Sequence, residues 1–139
     1  GRSAQVIDVD DLSEFVATTH ATGAVNAIGD RHPLAEVLAT VRRSAAHGSD
    51  TVTADDEWLI ENGVGYWAGE RSLPLWLPAE MTGFMTRTNA RYRAAGGTLR
   101  PLGETVSAVI ADEQERGIDR DRRAGLTRAD ELELLQRRG

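Results

Sequence analysis

Apolar and polar residues alternate through "AQVIDV" (4–9), and branched side chains dominate it, which predicts a strand. A helix is expected next. Asp11 and Glu14 have capping-box spacing, and Leu12, Phe15, Val16 and Thr19 fall at i, i+3, i+4, i+7, with Gly23 as the stop. "AVNAIG" (24–29) is a short apolar run ending in glycine and reads as a buried strand. Pro33 suits the first turn of a second helix, in which Leu34, Val37, Leu38 and Val41 make one face and Gly48 ends it. The order strand, helix, strand, helix predicts part of an α/β sheet.

Beyond residue 50 the pattern weakens. "DTVT" (50–53) reads as a short strand, and Thr53 as the cap of a short helix, "ADDEWLIEN", with an acidic first turn. "LPLWLP" (73–78) is apolar but bracketed by prolines, so it fits only an edge strand or an extended segment. "NARYRAA" predicts a short helix ended by Gly96 and Gly97. A longer one, "LGETVSAVIADEQERG", carries Leu102, Val106, Val109 and Ile110 on one face and stops at Gly117. "IDRDRRAG" reads as a charged loop. A last helix starts at Thr127, with Asp130 three residues on and Leu132, Leu134 and Leu135 along it.

The length of 139 residues predicts one domain spanning 1–139. No run of 18 apolar residues occurs, and the N-terminal stretch has no apolar core of a signal peptide, so neither a membrane span nor a signal peptide is expected. Cysteine is absent, which excludes disulfides and thiolate chemistry and fits a cytoplasmic protein. A net charge of -6 argues against a nucleic-acid partner. All 16 basic residues are arginine, so neither a Walker A loop nor a Schiff base can form.

"ENGVGYWAGERSLPLWLP" (61–78) spaces Gly63, Gly65 and Gly69 almost like a dinucleotide fingerprint. That fingerprint needs a strand before it and a helix opening within it. Here a predicted helix precedes it, and Pro74 and Pro78 follow, so a loop without a cofactor is expected. His20, His32 and His47 lack zinc-ligand spacing, and no serine sits in G-x-S-x-G. "DVDD" (8–11) is a carboxylate cluster best read as helix capping, with a metal site as the lesser alternative.

Several segments in order resemble a known family. "GRSAQVIDVDDLSEFV" is similar to the Q-x-I-D-V-R-D-L-A-x-F segment of extended short-chain dehydrogenase/reductases, the NAD-dependent epimerase/dehydratase-like family. "GAVNAIG" resembles its G-x-F-N-x-x-G strand. "LPLWLP", "NARYRAAGGTLRPLGETVSAVIADEQERG" and "AGLTRADELELLQ" resemble the closing segments of its reductase-like members. Three positions depart from that pattern: Asp10 stands where arginine is usual, Thr88 where aspartate is usual, and Gly97 where leucine is usual.

The resemblance implies the C-terminal part of such an enzyme: the last strand–helix units of a Rossmann fold plus a mostly helical substrate-binding lobe with short strands. The family's T-G-x-x-G-x-x-G turn is missing. So is its Y-x-x-x-K pair: Glu70 lies four residues after Tyr66, Gly96 four after Tyr92, and there is no lysine. Hence no catalytic, cofactor-binding or metal residue is expected in this chain. The nicotinamide cofactor, NAD(P), is implied only for the full-length parent. Trp67, Trp76 and Phe84 are candidate walls of a small-molecule substrate site, and Arg91 and Arg100 candidate anion clamps. The expected partner is the missing Rossmann half or a second copy of this chain. The alternative is a stand-alone, non-enzymatic binding or oligomerisation module.

Overall fold

The structure is a computed structural model that describes residues 1–139 apart from the side chain of Thr82. It is mixed α/β: helices predominate, and the four strands are each two or three residues long. The chain divides into two compact units. Unit 1 combines residues 1–47 and 80–118; unit 2 combines 48–79 and 119–139.

In unit 1, strand β1 (Ser3–Gln5) pairs antiparallel with β2 (Arg31–Pro33), with Ala4 opposite His32. The expected strand over 4–9 therefore ends early. Asp8 is the N-cap of helix α1 (Val9–Thr18), its carboxylate accepting the N–H of Asp10, so Val9 lies in the helix. The expected strand over 24–29 does not form. Side chains take its carbonyls instead: Gln5 Nε2 donates to Gly29 O at 3.0 Å, and Asn89 Nδ2 to Ile28 O at 3.3 Å. At Gly29 an added Cβ would lie 1.6 Å from the Val6 carbonyl oxygen, so only glycine fits this approach.

Helix α2 (Leu34–Ser44) begins directly after Pro33, as its sequence predicts, but stops short of Gly48. Val37 and Thr40 are its buried residues, and it packs against the helix Leu102–Arg116. Leu38 and Val41, expected on the core face, are exposed. A kinked 3-10 segment (Ala79–Met85) and a short helix Ala90–Ala94 precede that long helix. Ala4, Phe15, Val37, Met85, Tyr92 and Val106 are the buried apolar residues of this unit. Tyr92 is fully buried, with its ring centroid 4.6 Å from that of Phe15 and its hydroxyl donating to Thr98 O at 2.7 Å.

Unit 2 is built on helix α3 (Asp56–Glu61), which opens with two acidic residues and ends at Asn62 before Gly63 at φ 73°. Strand β3 (Gly65–Tyr66) pairs parallel with β4 (Ser72–Leu73). Of the edge strand or extended segment expected over 73–78, only Leu73 lies in a strand, and Leu75 turns the chain at φ 65°. Residues 50–53 form no strand. Leu59, Val64, Trp76 and Leu134 make the core, with Tyr66 stacked 4.0 Å from Trp76. The last helix (Arg128–Arg138) starts in a full capping box between Thr127 and Asp130, and of its three leucines only Leu134 is buried. For reference below, Ala90–Ala94 is α4, Leu102–Arg116 is α5 and Arg128–Arg138 is α6.

Candidate functional site

The strongest polar constellation lies in unit 1, where the start of α1 meets the turn before α5. Asp8 and Asp11 project from the first turn of α1, with side chains only 5% and 7% exposed. Two buried carboxylates so close together require donors. Arg100 supplies them. Its backbone N–H donates to Asp11 Oδ2 at 2.9 Å and its Nε to Asp11 Oδ1 at 3.0 Å. Its Nη1 lies 3.4 Å from Asp8 Oδ1 and 3.4 Å from Asp10 Oδ2. Pro101 and α5 follow at once, so this contact fixes where α5 begins.

The charges are tuned accordingly. Burial pushes the Asp8 carboxyl up, but the Asp10 N–H, the Thr105 hydroxyl and the Arg100 charge reverse this and hold it below the ordinary 3.8. Hydrogen bonding to Asp11 holds the Arg100 guanidinium above its usual value, against its own desolvation. Beside this group Asp30 accepts from Asn89 Nδ2 at 2.9 Å and Arg93 Nη2 at 2.6 Å. The Asn89 bond leads in lowering the Asp30 pKa, against burial and with help from Arg93 and His32. Burial, then the Asp11 charge, raises that of Tyr92.

A cavity of about 30 Å³ sits among Val6, Asp8, Asp11, Asp30, His32 and Arg100. It has room for about two waters and none for a substrate. Among the described residues no group of three or more His, Asp or Glu side chains is placed to hold a metal ion. Among the described residues no helix is long and apolar enough to cross a membrane.

The residues singled out from sequence fall in both units. Trp67 and Trp76 belong to unit 2; Phe84, Arg91 and Arg100 belong to unit 1. Trp76 is a core residue whose Nε1 donates to Asp56 at 3.0 Å. Trp67 is exposed at φ 59°, and its backbone N–H donates to Trp76 O at 3.1 Å. Phe84 is exposed in the 3-10 segment. Arg91 is exposed and donates from Nη2 to Thr22 O at 2.5 Å. Arg100 is held by the carboxylates of α1.

Gln5 and Asn89 escape sequence reasoning as site residues, and Asp8 and Asp11 enter it only as a capping cluster with a metal site as the lesser alternative. The "DVDD" cluster is a local signal, but Asp11 meets its partner 89 positions away. The three departures from the family pattern each have a local account. Thr88 Oγ1 accepts the N–H of Ala90 at 3.2 Å, which an aspartate side chain would also do. Asp10 adds its carboxylate to the Arg100 group. At Gly97 a Cβ would lie 2.4 Å from the Tyr92 ring, so a larger residue there is incompatible with this buried tyrosine.

Comparisons with protein-family models, with curated proteins and with solved structures find no match.

Proposed function

We propose that this chain is the C-terminal substrate-binding region of an NAD(P)-dependent epimerase/dehydratase-like oxidoreductase and is not catalytic alone. One observation supports this most. Of the segments that resemble that family, those over 1–16, 23–29 and 89–117 lie in unit 1 and are tied together there by long-range polar contacts. Gln5 bridges Gly29 O and Arg87, both donating to Arg87 O at 2.8 Å and accepting its N–H at 2.9 Å. Asn26 donates to Thr88 O, and Arg100 closes on Asp11. Residues that carry the resemblance are thus the ones that hold this unit together. In this reading hydride transfer between NAD(P) and a carbonyl or alcohol belongs to a Rossmann half. The present chain supplies substrate contacts, with Phe84 and Arg91 the accessible candidates in unit 1 and Trp67 a separate accessible candidate in unit 2.

The test is to isolate the natural protein from its own host and measure its intact mass and any nicotinamide nucleotide released on denaturation. A polypeptide near twice 15.1 kDa or more that carries NAD(P) is expected. A 15.1 kDa polypeptide free of nicotinamide would overturn the reading. It would favour a second one, a non-enzymatic binding module, for which the exposed Leu38 and Val41 on α2 speak.

A further inference from the structure

In unit 2 the segment 119–124 carries three arginines, Arg120, Arg122 and Arg123, ahead of α6. It forms neither helix nor strand, and Asp121, Arg122, Arg123 and Ala124 are all exposed. Among the described residues neither Arg123 nor Ala124 has a hydrogen-bond partner. Backbone of this kind can be drawn into the cleft of a protease without first unfolding anything.

The arginines elsewhere in the chain are held. Most lie in helices or in β2. Outside those elements, Gln5 takes both the N–H and the carbonyl of Arg87, and the Arg71 carbonyl accepts the Gly65 N–H at 2.8 Å. The Arg2 carbonyl accepts from Leu34 at 2.9 Å, and the Arg100 N–H donates to Asp11. A cut after any of these needs a local opening that a cut after Arg123 does not. Charge narrows the choice within the segment. A protease that selects arginine does so with a carboxylate in its specificity pocket. Arg120 lies between Asp119 and Asp121, and Arg122 follows Asp121, so substrate carboxylates repel that pocket and compete for the guanidinium. Arg123 has Arg122 before it and Ala124 after it.

We propose that the Arg123–Ala124 bond is a processing site for an arginine-specific serine protease, and that α6 stays docked on unit 2 after the cut. The protease serine oxygen attacks the Arg123 carbonyl carbon. The C–N bond to Ala124 breaks and the amine leaves with a proton; water then releases Arg123 as a carboxylate. The contacts that hold α6 all lie beyond the broken bond. Leu134 is buried with Leu59, Val64 and Trp76, and Asp130 and Glu133 hold Arg71. Arg137 donates to Asn62 Oδ1 at 3.1 Å, and the Gly125 N–H reaches Gly69 O and Ser72 Oγ, each at 3.2 Å. This inference stands apart from the proposed oxidoreductase role: either can hold without the other.

Limited digestion of the 139-residue chain with trypsin tests it. The chain has no lysine, so trypsin reads only its arginines. The expected first products, by intact mass, are 1–123 and 124–139, formed at least about tenfold faster than any others because every other site must open first. The two pieces should co-elute on size exclusion and part in urea. Arg122→Gln combined with Arg123→Gln should slow the first cut at least about tenfold, with an unchanged circular dichroism spectrum. A first cut after any other arginine, or a double variant cut as fast as the original chain, would overturn the site. Pieces that separate without denaturant would overturn the docked α6.

Discussion

Arg100 grips Asp11 with both its main chain and its side chain, its backbone N–H on one carboxylate oxygen and its Nε on the other, at 2.9 and 3.0 Å. The contact spans 89 positions and joins the first turn of α1 to the residue before Pro101. It converts a local cap sequence into a long-range clamp, and neither partner can be replaced conservatively. Lysine at position 100 could not repeat the planar Nε geometry.

Asp11→Ala should cost about 2–3 kcal/mol, since it removes two charge-assisted hydrogen bonds at a buried carboxylate. Arg100→Ala should also destabilise, because it leaves Asp8 and Asp11 buried with fewer donors. The double variant should lose much less than the sum. Urea unfolding of the four proteins measures this as a coupling energy, and additive losses would contradict the clamp.

Arg100 contributes to the acid limb of stability through Asp8, and Asn89 and Arg93 through Asp30. Asp8 and Asp30 have folded pKa values below the ordinary 3.8. The folded state therefore holds fewer protons than the unfolded chain in that range. Their contribution is fully present above pH 3.8 and is lost as pH falls through the depressed values. Tyr92 has the opposite sense. Its phenol is raised above 10, so its contribution is present below pH 10 and is lost as pH rises through the folded value. Thermal melts across pH should show the acid limb, and Asp8→Asn should flatten part of it.

Two glycines should rank in a fixed order. At Gly29 an added Cβ meets the Val6 backbone at 1.6 Å, and backbone cannot step aside. At Gly97 it meets the Tyr92 ring at 2.4 Å, and that ring is fully buried and hydrogen-bonded. Gly97→Ala should cost about 1–3 kcal/mol, as overpacking does, and Gly29→Ala more. Gly97→Ala combined with Tyr92→Phe should not recover the loss, because the ring remains. Melting temperatures of the three variants check the ranking.

These pairs explain why the sequence was legible in some places and opaque in others. The cap at Thr127, the helix after Pro33 and the stop at Gly117 are governed by residues within one turn, and each forms where the pattern puts it. Residues 24–29 have the apolar run of a strand, yet Gln5 and Asn89 take their carbonyls from 24 and 61 positions away. Asp11 has the spacing of a cap, yet Asp8 does that work and Asp11 is claimed by Arg100. Leu38 and Val41 share a face with Val37 in the pattern, but only Val37 is buried. In unit 2 the segment 65–76 places Trp67, Arg71 and Leu75 at positive φ, which no local preference of those residues foretells. Pairing across the chain overrides local preference wherever a side chain reaches a distant backbone.

Two of the three tryptophans should report on unit 2 separately. Trp76 is in the core with its Nε1 on Asp56, whereas Trp67 is exposed. Trp76→Phe should remove the most blue-shifted emission and cost about 1 kcal/mol for the lost hydrogen bond. Trp67→Phe should remove red-shifted emission and lower the melting temperature less than Trp76→Phe does. Equal effects from both would mean that the burial difference is absent in solution.

Arg91 and Arg100 were both candidate anion clamps, and their surroundings now predict different outcomes in an intact parent enzyme. Arg100 spends its donors on Asp8, Asp10 and Asp11, so Arg100→Ala should lower the melting temperature and reduce kcat and KM-dependent rates only through loss of folded protein. Arg91 is exposed and contacts one carbonyl, that of Thr22. If it grips substrate, Arg91→Ala should raise KM several-fold with kcat and melting temperature unchanged, the pattern of lost uniform binding. Steady-state kinetics beside thermal melts separates the two, and an Arg91→Ala enzyme with unaltered KM would remove Arg91 from the substrate site.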